Sequence, residues 1–299
     1  MKLATTTGDF KDYTRDQSEA LGYIREAGFR YADYSFGVDR ERGDGVFGSD
    51  FEAYIERIAR DADREGIRLV QAHAPMGKPI GADNAAFIED NLRCIDACAA
   101  WGIQSIVVHS GYAYGLSREE CFAENKKFFA PLLARAERYG VNILIENFNK
   151  MYKEGVFWVD NAKDLLALIE YVDHPLCHAV WDVGHANLQE MPQDEELRLL
   201  GSHVRALHIH GNMGDKDTHT IPFRGTENMD AVMHGLLSIG YTDFFTFEVG
   251  ALFSAPEAKR QYEADTRLLK APLALRRAAE RYLYELGKCV LEAYGCFEE

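Results

Sequence analysis

The side chains of this sequence that could do chemistry stand at the ends of short apolar runs rich in β-forming residues. Three of these runs end in a carboxylate and three end in histidine. An ionised carboxylate at the end of a buried strand is costly unless it is paired or bound to a metal. We therefore expect these groups to converge on a cation. The end residues are His73, His109, Glu146, Asp182, His208 and Glu248, with His185 and His210 two or three residues further along.

The donor types in this set indicate which metal it would hold. Carboxylate oxygens combined with imidazole nitrogens suit Mn2+, Mg2+, Co2+ or Zn2+. None of the six cysteines belongs to the set, which removes the usual reason to expect a closed structural zinc site. A single histidine after a strand is more often a satisfied core or loop residue. The prediction of a catalytic metal site therefore depends on the joint occurrence of these groups at consecutive strand ends.

An internal repeat indicates which elements position these residues. In each repeat a helical pattern ends at glycine, an apolar residue follows, and a β-rich run begins. The glycines of the five repeats are Gly28, Gly66, Gly102, Gly140 and Gly240. The residue after a helix often takes the left-handed conformation, which glycine reaches without a Cβ clash. Each repeat therefore predicts the end of a helix and the start of a strand.

Three further runs complete a set of eight predicted strands. These are Leu3–Thr7, Tyr31–Phe36, Leu69–His73, Ser105–His109, Ile143–Glu146, Cys177–Asp182, Val204–His208 and Phe244–Glu248. Helical patterns fill the gaps, near residues 16–27, 50–65, 84–101, 118–139, 161–172, 194–200 and 229–239. Ser49 with Glu52, and Ser117 with Glu120, match the capping box that opens a helix.

Regular alternation of eight apolar strands with helices predicts an α/β fold, a (β/α)8 TIM barrel. We assign residues 1–255 to the barrel and 256–299 to a C-terminal helical extension of the same domain. An open doubly wound sheet is the alternative, but it more often carries a glycine-rich turn after its first strand, and 5–9 contain one glycine. In a barrel the carboxyl ends of all strands meet at one face, where active sites lie.

Composition limits the partners of the protein. The 299 residues carry a net charge of −15, which repels polyanions and lacks the basic footprint of a nucleic-acid-binding protein. No apolar stretch approaches the roughly 18 residues of a membrane span. We therefore expect a cytoplasmic protein with reduced cysteines and neither nucleic-acid nor membrane partners. The apolar, arginine-bearing tail is compatible with a homodimer.

Four motifs resemble the metal ligands of the xylose isomerase-like barrels. These are Glu146 in I-E-N, Asp182 in W-D-V-G-H, His208 in L-H-I-H-G-N and Glu248 in F-E-V-G. The group contains sugar and sugar-phosphate isomerases and epimerases, inosose dehydratases and endonuclease IV. The segment from Asp217 to Gly225 is similar to the stretch that closes over the substrate in this group. The resemblance covers about residues 1–250.

The resemblance implies a metal-dependent isomerase or epimerase acting on an open-chain sugar or sugar phosphate. Glu146 and Glu248 would stand on opposite sides of the substrate and move a proton between neighbouring carbons through an enediolate. A metal that stabilises developing negative charge lowers the barrier to this species, and a ligand carboxylate can double as the base. The remaining substrate contacts are assigned to His185, which would meet a substrate oxygen, to Arg224, which would meet a distal hydroxyl or phosphate, and to His73 and His109. A solvated loop arginine is the alternative for Arg224.

Two departures keep other members of the group open. Ketose 3-epimerases carry a further Glu six residues beyond the first ligand, but here Tyr152 stands there and Glu154 is out of register. In addition, five residues extend the four ligands to a set resembling the trinuclear zinc site of endonuclease IV. These further candidate ligands are His73, His109, His185, Asp217 and His219. The negative net charge is unfavourable for gripping a phosphate backbone. The motifs are also compatible with a dehydratase-like lyase and with a sugar-binding protein without catalysis.

Overall fold

The eight predicted strands form one parallel sheet that closes into a barrel. The computed structural model describes residues 1–81, 83–150, 153–189, 191–252 and 271–299. The strands are β1 (Lys2–Thr6), β2 (Tyr31–Ser35), β3 (Arg68–His73), β4 (Ser105–Val107), β5 (Asn142–Glu146), β6 (Cys177–Asp182), β7 (Val204–His208) and β8 (Phe244–Phe247). Their order is β7-β6-β5-β4-β3-β2-β1-β8. Backbone N–H groups of Ile209 and Glu248 donate to Thr246 and Ile209 at 2.8 and 3.1 Å and join the last two strands. The (β/α)8 barrel is confirmed, and the open doubly wound alternative is wrong.

Helices lie between the strands, as the sequence predicts. In the described part of the chain they are α1 (Gln17–Ala27), α2 (Phe36–Arg42), α3 (Phe51–Glu65), α4 (Ala85–Trp101), α5 (Arg118–Glu137), α6 (Ala162–Val172), α7 (Val183–Ala186), α8 (Gln193–Leu200), α9 (Met229–Ser238) and α10 (Leu273–Ala293). All five repeat glycines have φ between 67° and 115°, so their left-handed conformation is confirmed. The sequence pattern does not predict the short helices α2 and α7, because neither spans enough residues to show a period. None of the described helices is both long and apolar enough to cross a membrane.

One of the two predicted capping boxes forms. At the start of α5 the Ser117 hydroxyl accepts from the Glu120 backbone N–H, and the Glu120 carboxylate accepts from the Ser117 N–H. The box predicted at Ser49 is wrong, because α3 begins one residue later with Asp50 at the N-cap. Glu52 then occupies the second helical position, one short of the position from which a carboxylate reaches back to the cap.

An apolar layer inside the barrel carries the polar residues of the strand ends. Val107, Leu144, Val180 and Ala206 are buried and form a cluster separate from the main core. Each precedes a predicted site residue by two positions, and residues two apart in a strand point to the same side. The barrel interior therefore changes from apolar to polar over two residues of each strand, at the carboxyl ends of the strands.

Helix α10 packs closely on the outside of the first and last strands. A Cβ atom at Gly287 would lie 2.6 Å from Leu3 Cδ2 and 2.8 Å from Phe247 Cε2. Glycine inside a helix costs about 1 kcal/mol relative to alanine, so its presence here is a condition of the close approach. The segment between β8 and α10 lies largely outside the described residues.

A buried glutamate on α8 makes the stability of this fold depend on pH. Glu196 is fully buried. Its burial, with a small contribution from the charge of Asp160, raises its pKa from 4.5 to about 7. The neutral carboxyl is therefore favoured in the folded state. The free energy of unfolding therefore falls by about 3 kcal/mol in total as the pH rises from the pKa of Glu196 in the unfolded chain, 4.5, through its pKa in the folded protein, about 7.

Glu196→Gln should remove this pH-dependent loss. Urea unfolding followed by circular dichroism at pH 5 and pH 8 should show the variant gaining free energy of unfolding relative to the wild type as the pH rises. Glu195→Gln changes the exposed neighbour on the same helix and is the matched control. A difference between Glu196→Gln and the wild type that stays constant with pH would contradict the assignment.

Candidate metal centre

The four predicted ligands meet at the carboxyl end of the barrel. One donor atom from each of Glu146, Asp182, His208 and Glu248 lies within 4.8 Å of the donor atoms of the other three. Their strands are parallel neighbours or, for β8, close the barrel, so the side chains leave the sheet on the same face. Glu146, Asp182 and His208 are at most 1% exposed. The Glu248 side chain is 26% exposed, and it is the member of the set that faces open space.

His208 occupies the middle of this set. Its Nδ1 lies 2.9 Å from Glu146 Oε1, 3.4 Å from Glu248 Oε2 and 3.8 Å from Asp182 Oδ2. Although burial alone would lower it, the charges of Glu146 and Glu248 raise the pKa of His208 well above its usual range. A single imidazole nitrogen therefore faces three carboxylates. A bound cation would compensate the same negative charges.

Two residues that the sequence analysis missed hold the far side of His208. Its Nε2 lies 3.0 Å from the side-chain amide of Gln71 and 3.6 Å from Asp33 Oδ2. Gln71 in turn donates to Asp33 at 2.9 Å. Such outer partners hold the orientation of a histidine ring. The sequence does contain a signal for them, because Asp33 in β2 and Gln71 in β3 are polar residues within otherwise apolar strands.

Glu146 also contacts the two histidines that end β3 and β4. Its Oε2 lies 3.3 Å from His73 Nε2 and 3.2 Å from His109 Nε2. Burial opposes ionisation of Glu146, but the charges of His208 and His109 hold its pKa well below its usual range. Burial lowers the pKa of His109 to about 4. The two oxygens of Glu146 therefore face different partners, Oε1 facing His208 and Oε2 facing His73 and His109. His73, Glu146 and His208 form a second candidate ligand group.

A third group surrounds Asp217. Its Oδ2 lies 3.1 Å from His185 Nε2, and its Oδ1 lies 3.2 Å from His219 Nε2. The rings of His210 and His219 stack with centroids 3.7 Å apart, and His210 Nε2 lies 3.0 Å from Asp182 Oδ1. Despite burial, which acts in the opposite direction, these carboxylates raise the pKa of His185 to about 9 and that of His219 to about 10. Thus all nine residues of the extended candidate set come together, and His210 joins them through Asp182 and His219.

The motif residues beside these ligands have identifiable roles. The side chain of Asn147, in I-E-N, pairs with both backbone groups of Asp182, at 2.7 and 2.9 Å. Its own carbonyl accepts from His185 Nδ1 at 2.9 Å, which turns Nε2 of that ring toward Asp217. In W-D-V-G-H, a Cβ atom at Gly184 would lie 1.9 Å from His210 Cε1. Glycine at this position is therefore a requirement of the His210 ring.

The predicted residue Arg224, and Glu154 near the 3-epimerase position, stand apart from these groups. Arg224 is exposed on the loop after β7, where Gly211 and Thr220 exchange backbone hydrogen bonds of 2.8 and 2.9 Å. Its role toward a distal group of a substrate stays a prediction. Tyr152 lies outside the described residues, and Glu154 is exposed.

A cleft of about 720 Å3 opens onto this centre. Its volume falls in the range of small-molecule binding sites. The walls include Thr6, Asp9, Ser35, Met76, His219 and Glu248. Glu248 thus belongs both to the first ligand group and to the wall of the cleft.

The residues of the first group fit a divalent cation. Three carboxylates and one imidazole provide hard oxygen donors with one nitrogen, which suits Mn2+, Mg2+, Co2+ or Zn2+. Within the described ranges, every ion pair of Glu146, Asp182 and Glu248 is made with histidine. Histidine can release its proton and coordinate a metal, whereas lysine or arginine would compete with the metal for the carboxylates.

Comparisons with known proteins agree with this architecture. A family model described as xylose isomerase-like TIM barrel matches residues 21–271. An uncharacterized protein of Methanocaldococcus jannaschii is 28% identical over 219 residues, covering 69% of this chain and 72% of the relative. Fructoselysine 3-epimerase of Escherichia coli O157:H7 is 29% identical over 131 residues, covering 44% of this chain and 46% of that enzyme. The similarity to this epimerase therefore spans less than half of either protein.

Solved structures share the fold at low sequence identity. D-psicose 3-epimerase from Clostridium cellulolyticum H10 superposes with a TM-score of 0.76 at 16% identity, covering 97% of this chain and 99% of that one. L-ribulose 3-epimerase superposes with a TM-score of 0.74 at 19% identity, covering 98% and 95%. At these identities the likeness establishes the fold alone.

Gly184→Ala should destabilise the protein through its clash with His210. Alanine in a helix is normally favourable, but overpacking of this kind costs about 1–3 kcal/mol. Gly22→Ala, inside α1 with its nearest neighbour at 3.8 Å, is the matched control and should be neutral or stabilising. Urea unfolding provides the free energies.

A double variant tests the cause of that loss. His210→Ala removes the ring that the new methyl group would meet. Adding Gly184→Ala to a His210→Ala protein should therefore cost less than adding it to the wild type. Equal costs in both backgrounds would show that His210 is not the group that excludes a side chain at position 184.

Proposed function

This chain belongs to the xylose isomerase-like TIM barrel family, and we propose that it is a metal-dependent isomerase or epimerase of an open-chain sugar or sugar phosphate. The observation that carries the proposal is the placement of Glu146 and Glu248, which approach Nδ1 of His208 from two different strands at 2.9 and 3.4 Å. Two carboxylates on one centre can act as an acid/base pair. The sugar 3-epimerases among the relatives and structural neighbours support the same class of reaction.

Four residues would hold the metal. Glu146, Asp182, His208 and Glu248 provide the donor set, and Asp33 with Gln71 would keep Nδ1 of His208 directed to it. When bound, a divalent cation supplies electrostatic stabilisation of the negative charge that develops on a substrate oxygen. His73, His109 and His185 surround the same position and are the residues proposed to contact substrate oxygens.

The two glutamates are proposed to move the proton. The charges of His208 and His219 outweigh burial and lower the pKa of Glu248 to about 2, so its carboxylate is ionised at neutral pH. Glu248 also faces the cleft, and it is placed to take a proton from the carbon next to the substrate carbonyl. Glu146, on the buried side, is placed to deliver a proton to the enediolate. Because its own carboxylate is ionised, this proton would come from His73, whose Nε2 lies 3.3 Å from Glu146 Oε2, and Glu248 would release the proton that it took to water. Return to the neighbouring carbon gives an isomer, and return to the opposite face of the same carbon gives an epimer.

A metal-dependent phosphodiesterase is the second candidate function. The observation that favours it is that the candidate ligands form three adjoining groups, which could hold more than one metal. The net charge of −15 is unfavourable for binding a nucleic-acid backbone. Metal content therefore separates this candidate from the isomerase, for which one metal in the first group suffices.

Protein purified without chelator should contain about one divalent metal per chain, measured by elemental analysis. Asp182→Ala should lose it, because the variant removes one of the four donors. Asp243→Ala, exposed before β8 at the other end of the barrel, is the matched control and should keep it. Metal retained by Asp182→Ala would refute the ligand assignment, and about three metals per chain would favour the phosphodiesterase.

The reaction itself can be read from solvent deuterium. The metal-loaded protein is incubated in D2O with a panel of sugars, sugar phosphates and inososes. We expect deuterium at a carbon next to the carbonyl, in a product of unchanged formula. Glu248→Gln, shown to retain metal, should lower kcat by about 100-fold to 10,000-fold.

Other products would identify other reactions. Loss of water would indicate a lyase, and cleavage of abasic DNA would indicate the phosphodiesterase. Binding of a sugar with no turnover would indicate a sugar-binding protein. A metal-loaded Glu248→Gln protein that turned over its substrate at the wild-type rate would contradict the proton-transfer role of Glu248.

A further inference from the structure

A buried ionic network connects α10 to the carboxyl end of the barrel. Arg276, Glu280 and Thr5 are at most 1% exposed, and Asp9 is 7% exposed. Arg276 Nη2 donates to Asp9 Oδ2 at 2.8 Å and also to Glu280, which accepts from the Thr5 hydroxyl on its other oxygen. The guanidinium carbon lies 5.5 Å from the centroid of the Phe10 ring. Charges buried this deeply are tolerated only in such paired arrangements.

This network binds both backbone polar groups of Val249. The Val249 N–H donates to Asp9 Oδ2 at 3.2 Å, and the Val249 carbonyl accepts from Arg276 Nη1 at 2.5 Å. Strand β8 ends at Phe247, and the last ladder bond is the one from the Glu248 N–H. Beyond that point the network holds the backbone at Val249. His219 holds it on either side, since its Nδ1 lies 3.1 Å from the Glu248 carbonyl and its own carbonyl accepts from the Ala251 N–H at 3.2 Å.

Glu248 depends on this support more than the other three ligands do. Glu146 lies within β5 and contacts three histidines. The carboxylate of Glu248 is partly exposed, and its nearest described partner is His208 Nδ1 at 3.4 Å. The direction of the Glu248 carboxylate is therefore set largely by the backbone next to it, and Val249 is the residue that follows Glu248 in that backbone.

We propose that Arg276 and Asp9 are positioning residues that act through Val249 to aim the carboxylate of Glu248 at the other ligands. The inference rests on the proposed function of Glu248. In this proposal α10 supports the geometry of the metal site, although no residue of the helix is among the candidate ligands in the described chain. The fork of an arginine suits this task, because one side chain can bond to a carboxylate and a carbonyl at the same time.

Arg276→Lys is the informative variant. Lysine keeps the charge that Asp9 and Glu280 need, but its single ammonium cannot reproduce the fork. The metal site is read with Co2+, whose visible absorption reports the geometry of its ligands. We expect Arg276→Lys to change that spectrum, to weaken Co2+ binding by about 10-fold to 100-fold, and to lower kcat more than it changes KM.

Arg277→Lys is the matched control. Arg277 is the next residue of the same helix, and its exposed side chain pairs with Glu26 at the surface. This variant should leave the Co2+ spectrum, the affinity and the activity unchanged. A folded Arg276→Lys protein with the spectrum and affinity of the wild type would overturn the proposal. If Arg276→Lys does not fold, Asp9→Asn is measured in its place, since it weakens the bond to the Val249 N–H while keeping the size of the side chain.

Hydrogen exchange separates failure of this inference from failure of the proposed function. Exchange is measured on the peptide that covers residues 244–252. If the network clamps the backbone, the Val249 amide should exchange faster in Arg276→Lys than in Arg277→Lys, whether or not the protein binds a metal. Unchanged exchange would overturn the clamp. Absence of Co2+ binding by the wild type, with the exchange difference intact, would instead contradict the proposed function.

Discussion

Three carboxylates, two of them buried, lie around one histidine nitrogen at the carboxyl end of the barrel, and their charge must be compensated for the protein to fold. A desolvated carboxylate is stable only with positive charge or hydrogen-bond donors beside it. Here Glu146, Asp182 and Glu248 surround a single nitrogen of His208. Histidine can carry a proton or give it up and bind a metal near neutral pH. An arrangement compensated by imidazoles is therefore suited to exchanging protons for a divalent cation with little movement of the barrel.

The barrel interior has an apolar layer directly below a layer of ligands, and the two layers are two residues apart along each strand. Val107, Leu144, Val180 and Ala206 fill the interior below the site, and the next inward-facing residues are ligands or their partners. The apolar layer keeps water away from the site from below, which strengthens every electrostatic interaction above it. Closure between β7 and β8 is equally necessary, because it brings Glu248 back to the strands that carry the other ligands.

The two proposed proton-transfer residues are supported in different ways. Glu146 is buried, lies within a strand, and is held by histidines on both oxygens. Glu248 faces the cleft just beyond the end of its strand, and Arg276 with Asp9 fixes the residue that follows it. A carboxylate that must meet a substrate has to remain accessible, so its support comes from behind the backbone. This requirement connects a helix on the outside of the barrel to the chemistry at its mouth.

Local patterns in the sequence are sufficient to predict the strands, most of the helices and the polar residues at the strand ends. Strand periodicity and left-handed glycines such as Gly66 are local properties, and the parallel strands of a barrel bring Glu146 and Asp182 to one face without further information. Contacts between residues that are far apart in the sequence follow from the packing of the whole chain. The partner of Gly184 is a ring 26 positions later, and Arg276 reaches a carboxylate 267 positions away. Such contacts depend on how helices and loops pack in three dimensions, and no local pattern of residues encodes them.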